Sequence, residues 1–202
     1  VIEIYISKYD EFKDNEGYII DLIDIASEVI INLASEYYQI IQEYYNNGNI
    51  KYLQLISKKF LNLILLQANI LSYNDKKSLQ KIINKLDALD YDDYFKDTLK
   101  YNKKMILTTW YDKLVSEDGG LRDYANTDFY DIVGTLYYNR WKRFFDEISS
   151  NELKGFYDDY RFDVKWINDD DSLNKEEAID LLKKAIDKGN AYALVKYANV
   201  LE

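Results

Sequence analysis

Histidine and cysteine are both missing from this chain of 202 residues. With them go the imidazole bases, the thiolate nucleophiles and the soft or borderline metal ligands on which many compact sites depend. Any chemistry must rest on carboxylates, tyrosine, lysine or arginine. Such groups depart most clearly from a plain helical rhythm in TTWYDKLVSEDGGLRDYAN, residues 108–126. There a Trp (Trp110), a Gly-Gly pair (Gly119 and Gly120) and an Asp-Tyr-Ala-Asn cluster (Asp123 to Asn126) follow one another. From residue type alone, Trp110 at a helix end reads as core, and Asp123 and Asn126 read as turn and N-cap residues. Asp158-Asp159 and Asp169 to Asp171 are the other notable carboxylate groupings. Neither forms an Asp-x-Asp-x-Asp-Gly loop, so both read as solvated acidic turns, and neither a metal site nor a cofactor is expected.

The elements that position these groups are expected to be helices throughout. Proline is absent and glycine occurs 7 times, too few turn-formers for an all-β sandwich. Apolar residues recur at helical spacing over residues 2–12, then over 18–45 with an exit at Asn47-Gly48-Asn49. Residues 50–71 are apolar on nearly every side, as a helix packed between others must be. Asp75 is placed to cap a short helix carrying Leu79, Ile82, Ile83 and Leu86. Further helices are expected over 92–111 and 126–149, the second with Gly134 inside it, where a neighbouring element should approach closely. Trp141, Phe144 and Phe145 lie at core spacing on that helix, and Arg140 is expected to donate to loop carbonyls. Phe156, Tyr160, Val164, Trp166 and Ile167 suggest one more helix. The expectation is an all-α, irregular multi-helix bundle of about seven or eight helices with no sheet.

The tail has a character of its own. Asn174 and Glu177 make a capping box, opening two short helices hinged at Gly189-Asn190. Their spacing resembles a single Sel1-like repeat, which divides the chain into a helical domain over 1–172 and a hairpin over 173–202, either Sel1-like or a final helix of the main domain plus an extension.

Charge and hydropathy exclude other classes. The formal net charge is -10, and the 26 basic residues are scattered, which argues against a surface that tracks nucleic-acid phosphates. No basic membrane-directed face appears, and no apolar run approaches the roughly 18 residues needed to cross a bilayer. No signal peptide is visible. Because the chain opens inside an apolar rhythm, it reads as a piece of a longer protein.

Three stretches come in order at short spacing: YNKKMILTTW ending at Trp110, LRDYANTDFYDIV from Leu121, and YYNRWKRFF from Tyr137. Together they resemble the C-terminal helical domain of the α-N-acetylglucosaminidases, glycoside hydrolase family 89. The similarity lies in that family's Asn-Ala-Arg-x-Gln-Ile-Thr-x-Trp, Asp-Tyr-Ala-Asn and Tyr-x-Pro-Arg-Trp stretches. YIIDLIDIASEVIINLASEYY from Tyr18 resembles its Tyr-Asp-Leu-Val-Asp-Leu-Thr-Arg-Gln helix. The departures are Ser27-Glu28 for Arg-Gln, Lys104 and Ile106 for Arg and Gln, Asn139 for Pro, and Asp131 for a Gly. A lysine at 104 cannot reproduce the planar fork of an arginine, so a polar contact there is expected to be weakened or lost.

The resemblance implies a retaining exo-enzyme that removes terminal α-linked N-acetylglucosamine from glycans such as heparan sulfate, in a lysosomal or secreted setting. Retaining chemistry needs two carboxyl groups about 5 Å apart. In the family both belong to a (β/α)8 barrel preceding this domain. The chain shows no strand–helix alternation and is shorter than the roughly 250 residues of such a barrel, so no catalytic residue is assigned within it. The implied partners are that barrel and the terminal N-acetylglucosamine. Trp110 would offer a ring face to the sugar and Tyr124 a hydroxyl, Asp123 and Asn126 would pair with sugar hydroxyls, and Gly119-Gly120 would turn the loop so that Trp110 and Tyr124 face outward on one side. The competing readings are a non-catalytic interaction module related to Sel1-like proteins and a carbohydrate-binding domain without a barrel.

Overall fold

Residue 15 is where the long helices begin. Asn15 is extended, and its side chain accepts the N–H of Tyr18, capping α3 (Glu16–Asn46). Two short helices precede it in the computed structural model, α1 (Ile2–Ser7) and α2 (Tyr9–Phe12). They divide the single helix expected over 2–12, because Lys8 leaves helical geometry at ψ 4°. The structure describes residues 1–125, 128–150 and 159–169. The expected boundary at 172 and the tail hairpin lie outside the described residues.

Asn47-Gly48-Asn49 reverses the chain into α4 (Ile50–Leu71), with Gly48 at φ +66°, a conformation glycine adopts at little steric cost. α3 and α4 pack as a helical hairpin. Leu63, Ile64, Leu65 and Leu66 are consecutive and all buried, which makes α4 the central helix. Leu22, Ile23, Ala26, Ile30 and Ile41 of α3 are buried as well.

A 3₁₀ turn (Asp75–Lys77) leads to α5 (Leu79–Asp87). The expected cap at Asp75 is corrected: Ser78 is the N-cap of α5, its side chain accepting the N–H of Lys81. α6 (Asp93–Leu107) is capped by Asp92. It ends four residues before the expected 111, since Thr108 and Trp110 leave helical geometry. After a π-helical turn (Leu114–Asp118) and an irregular stretch come α7 (Tyr130–Ile132), a second π-helical turn (Val133–Tyr137) and α8 (Tyr138–Ser149). These three run on as one helix over 130–149, starting later than the expected 126. Gly134 lies buried inside the π turn. α9 (Asp159–Asn168) closes the described chain. Among the described residues there are nine helices, six of them seven residues or longer, and no strand. None is long and apolar enough to cross a membrane.

Two cores result. In the first, Trp141 of α8 packs on Phe60 of α4 at 4.8 Å between ring centroids and on Phe145 at 5.5 Å, with Tyr38 of α3 edge-on at 5.5 Å. Aromatic packing of this kind adds roughly 0.5–1.5 kcal/mol per pair beyond the area buried. Trp141, Phe144 and Phe145 therefore serve the core, as their spacing suggests. The second core gathers Leu79, Ile83, Leu107, Phe129, Ile132, Leu136, Trp166 and Ile167 from α5 to α9, and Tyr137 packs against both.

Candidate functional site

The loop between α6 and α7 is held open at two strained positions. Trp110 has φ 67° and Asp123 φ 56°. Positive φ is tolerable for Asp but an outlier for a bulky Trp, and each such residue costs about 1–3 kcal/mol that its surroundings must supply. The surroundings do so through two backbone hydrogen bonds. Trp110 N–H donates to the Met105 carbonyl at 2.8 Å, and Asp123 N–H donates to the Thr108 carbonyl at 2.7 Å. The second bond closes the base of the loop, and Thr108 and Thr109 there are fully buried. At the far side Gly120 has φ +67°. Gly119 sits so close to the π turn that a Cβ would come within 2.6 Å of the Val115 carbonyl oxygen.

This closure brings Trp110 and Tyr124 together. Their rings meet edge to face, centroids 5.1 Å apart at 68°. Tyr124 is 68% exposed and Trp110 partly buried. Asn126 lies outside the described residues. Clefts of about 590, 540 and 440 Å³ open elsewhere on the surface, and neither Trp110 nor Tyr124 lines any of them.

Beneath the aromatic pair runs a chain of charges. Arg140 of α8 donates from Nη1 to Asp123 Oδ2 at 2.6 Å, and from Nε and Nη2 to the two carboxylate oxygens of Asp163 at 2.8 and 2.7 Å. Tyr137 donates its hydroxyl to Asp123 Oδ1 at 3.4 Å. Arg122 lies between Glu117, 3.3 Å away, and Asp163, also 3.3 Å away. Arg140 is a structural donor to the loop, as expected, and it reaches the loop through the carboxylate of Asp123. Asp123 does not cap the next helix: Phe129 occupies the N-cap of α7 with no side-chain cap.

The electrostatics follow from burial. Burial works against the charge of Arg140, but Asp163 and then Asp123 outweigh it and hold its pKa above the ordinary arginine value. Burial lifts the Asp163 carboxyl against the pull of Arg140 and Arg122. Burial, followed by the negative charge of Asp123, pushes the Tyr137 hydroxyl well above its usual range. Asp163 has no exposed surface, so it cannot reach a substrate. Asp123 keeps part of its surface open, and a carboxylate has more acceptor sites than its two present donors use. Among the described residues, no group of three or more carboxylates is placed to hold a metal ion.

An exposed aromatic pair on a braced loop suits a wall that another surface completes. The model of the "Alpha-N-acetylglucosaminidase (NAGLU) C-terminal domain" family matches residues 1–198. The chain belongs to this family. A family 89 glycoside hydrolase from Clostridium perfringens, solved in complex with PUGNAc, is similar at 31% identity and a TM-score of 0.80, over 92% of this chain and 22% of that one. A family 89 glycoside hydrolase from that organism solved with 2-acetamido-1,2-dideoxynojirmycin matches at 30% identity and a TM-score of 0.81, over 92% and 23%. A third structure from that organism, a double Glu-to-Gln variant holding its substrate GlcNAc-alpha-1,4-galactose, matches at 30% and 0.80, again over 92% and 23%. The chain thus spans less than a quarter of the length of these solved proteins. No curated protein matches it.

Several departures of this alpha-N-acetylglucosaminidase C-terminal domain from the family stretches have visible local roles. Ser27 is buried and accepts from Gln67 Nε2 at 3.1 Å. Lys104 is buried, donates to the Asp169 carbonyl at 2.8 Å and lies 5.5 Å from the centre of the Trp166 ring. Asp131 is buried and accepts three donors at the start of α5: the N–H of Leu79 at 3.0 Å, the N–H of Gln80 at 2.8 Å and the Ser78 hydroxyl at 3.1 Å. A carboxylate at a helix N-terminus satisfies orphan N–H groups and meets the positive end of the helix dipole. Sequence reasoning missed this bond, since Ser78 and Asp131 are far apart in the chain and no spacing rule links them.

Proposed function

We propose that this chain is the C-terminal helical domain of a retaining exo-α-N-acetylglucosaminidase, acting on terminal α-linked N-acetylglucosamine of glycans such as heparan sulfate. The two catalytic carboxylates belong to a (β/α)8 barrel in the rest of the parent protein, and this domain packs on that barrel. Trp110 and Tyr124 form part of the sugar pocket wall. Trp110 offers apolar ring surface to the pyranose and Tyr124 a hydroxyl to its oxygens, with Asp123 and Asn126 as polar neighbours.

The observation that carries the reading is the Trp110–Tyr124 pair itself. A tryptophan at φ 67° packs edge to face on an exposed tyrosine, and backbone strain of this kind clusters at ligand sites. Family membership and the sugar-bound C. perfringens structures support the substrate class. The test is Trp110→Ala and Tyr124→Phe in the parent protein, assayed on an aryl α-N-acetylglucosaminide. Expected is a fall in kcat/KM of about 10–100-fold for Trp110→Ala, with a smaller fall for Tyr124→Phe and unchanged far-UV circular dichroism. Full activity in both variants would remove the wall from the pocket.

A further inference from the structure

The charged chain beneath the loop does not end in the core. It reaches the loop at Asp123, the residue before Tyr124, and at Arg122 beside it. Arg140 and Asp163 come from α8 and α9, while the residues they grip belong to the loop, so the network joins two helices to the one segment whose backbone is strained twice. Asp123 tolerates φ 56°, and its surroundings hold it there. Its N–H is pinned to Thr108 and its carboxylate to Arg140 and Tyr137, which fixes where Tyr124 stands and therefore where the Trp110 ring rests.

We propose that Arg140 is a positioning residue of the aromatic wall. It acts through Asp123, and Asp163 locks its guanidinium in place. This rests on the reading of Trp110 and Tyr124 as a sugar wall. The fork geometry is essential: three nitrogens of one planar group reach two carboxylates on different elements, and a lysine ammonium has no such plane. Arg140 has 14% of its side chain exposed and Asp163 none, so both are set below the surface that carries Trp110 and Tyr124.

The experiment uses the parent protein labelled with 5-fluorotryptophan. The ¹⁹F resonances of the three tryptophans in this chain are assigned by their loss in Trp110→Phe, Trp141→Phe and Trp166→Phe. Arg140→Lys and Asp123→Gly are compared with the unaltered protein, and each is titrated with N-acetylglucosamine. Asp123→Gly is the decisive variant. Glycine accepts the positive φ, and the Arg140–Asp163 pair stays intact, so the fold persists even if Arg140→Lys fails to fold.

In Asp123→Gly the Trp110 signal is expected to shift or broaden while those of Trp141 and Trp166 stay in place, and sugar binding should weaken about tenfold as two ordered side chains are released. Arg140→Lys should show the same Trp110 change. An unmoved Trp110 signal with unaltered sugar affinity in Asp123→Gly overturns the proposal. If the unaltered protein binds no sugar at millimolar concentration yet the Trp110 signal still moves in the variants, Arg140 stands as the positioning residue and the sugar reading of the wall falls.

Discussion

Arg140 and Asp163 face each other as a two-point fork, Nε and Nη2 lying 2.8 and 2.7 Å from the two oxygens of a carboxylate with no exposed surface. Such a pair is not evidence of large net stabilisation, because two charges had to leave water to form it. Removing one partner is another matter. Arg140→Ala leaves Asp163 with Arg122 as its remaining guanidinium and should cost roughly 3–5 kcal/mol. Urea unfolding should show a lower midpoint at unchanged slope, and a loss below about 1 kcal/mol would mean the network is easily replaced.

Tyr137 gives a pH prediction of definite sign. Its folded pKa lies above the unfolded value of about 10, so between the two values the unfolded chain releases a proton that the folded one keeps. The contribution is fully present below pH 10 and is lost as pH rises toward the folded value, at about 1.4 kcal/mol per unit. Tyr137→Phe should be about 0.5–1.5 kcal/mol less stable than the unaltered protein at pH 8, having lost the bond to Asp123. It should then draw level and overtake above pH 10. Parallel stability curves for the two proteins in alkali would refute this.

Asp131 concentrates three donors on one buried carboxylate. Asp131→Ala should cost roughly 2–4 kcal/mol, since hydrogen bonds to charged groups are worth about 1.5–3 kcal/mol and the orphaned N–H groups stay buried. The damage should be local first. Hydrogen exchange should accelerate at the start of α5 before it does in α4, and uniform acceleration would count against the cap.

Gly119 and Gly120 should respond to alanine for different reasons. At Gly120 nothing lies within 4 Å of a new Cβ, and the penalty is that of φ +67°, about 1–2 kcal/mol. At Gly119 the conformation is ordinary, but the Cβ meets a backbone carbonyl at 2.6 Å, and overpacking costs about 1–3 kcal/mol with movement of the π turn. Gly119→Ala should therefore change the Tyr124 environment by NMR more than Gly120→Ala does. The reverse order would show that the turn conformation matters more than the space.

What the sequence made legible depended on how local the cause was. The bounds of α4 could be read directly, because an Asn-Gly-Asn reversal precedes a run apolar on nearly every side. Family membership was legible too, from four short stretches in order. The end of α6 was not. No Pro or Gly stops the helix at Leu107, and the interruption is set by the hydrogen bond that Thr108 receives from Asp123, fifteen residues on. Arg140 was recognised as structural, but its partners Asp123 and Asp163 lie 17 and 23 residues away on different elements, beyond any helical spacing rule. Asp75 looked like a cap by type, and Ser78 took the place because the 3₁₀ turn consumes the residues between them.

The π turn at Val133–Tyr137 carries one residue more per turn than the α-helix around it. Each residue of an α-helix advances the azimuth by about 100°, so this surplus residue works as a phase offset between the two halves of 130–149. Ile132 is indexed to the second core while Tyr130 and Val133 reach the first, and the second half is indexed to the first core through Trp141, Phe145 and Ile148. Deleting one residue between 133 and 137 would leave a helix of good composition but rotate Arg140 away from both its carboxylates. The loop that holds Trp110 and Tyr124 is thus set by a rotational register fixed one turn earlier, in a stretch buried from Val133 to Leu136.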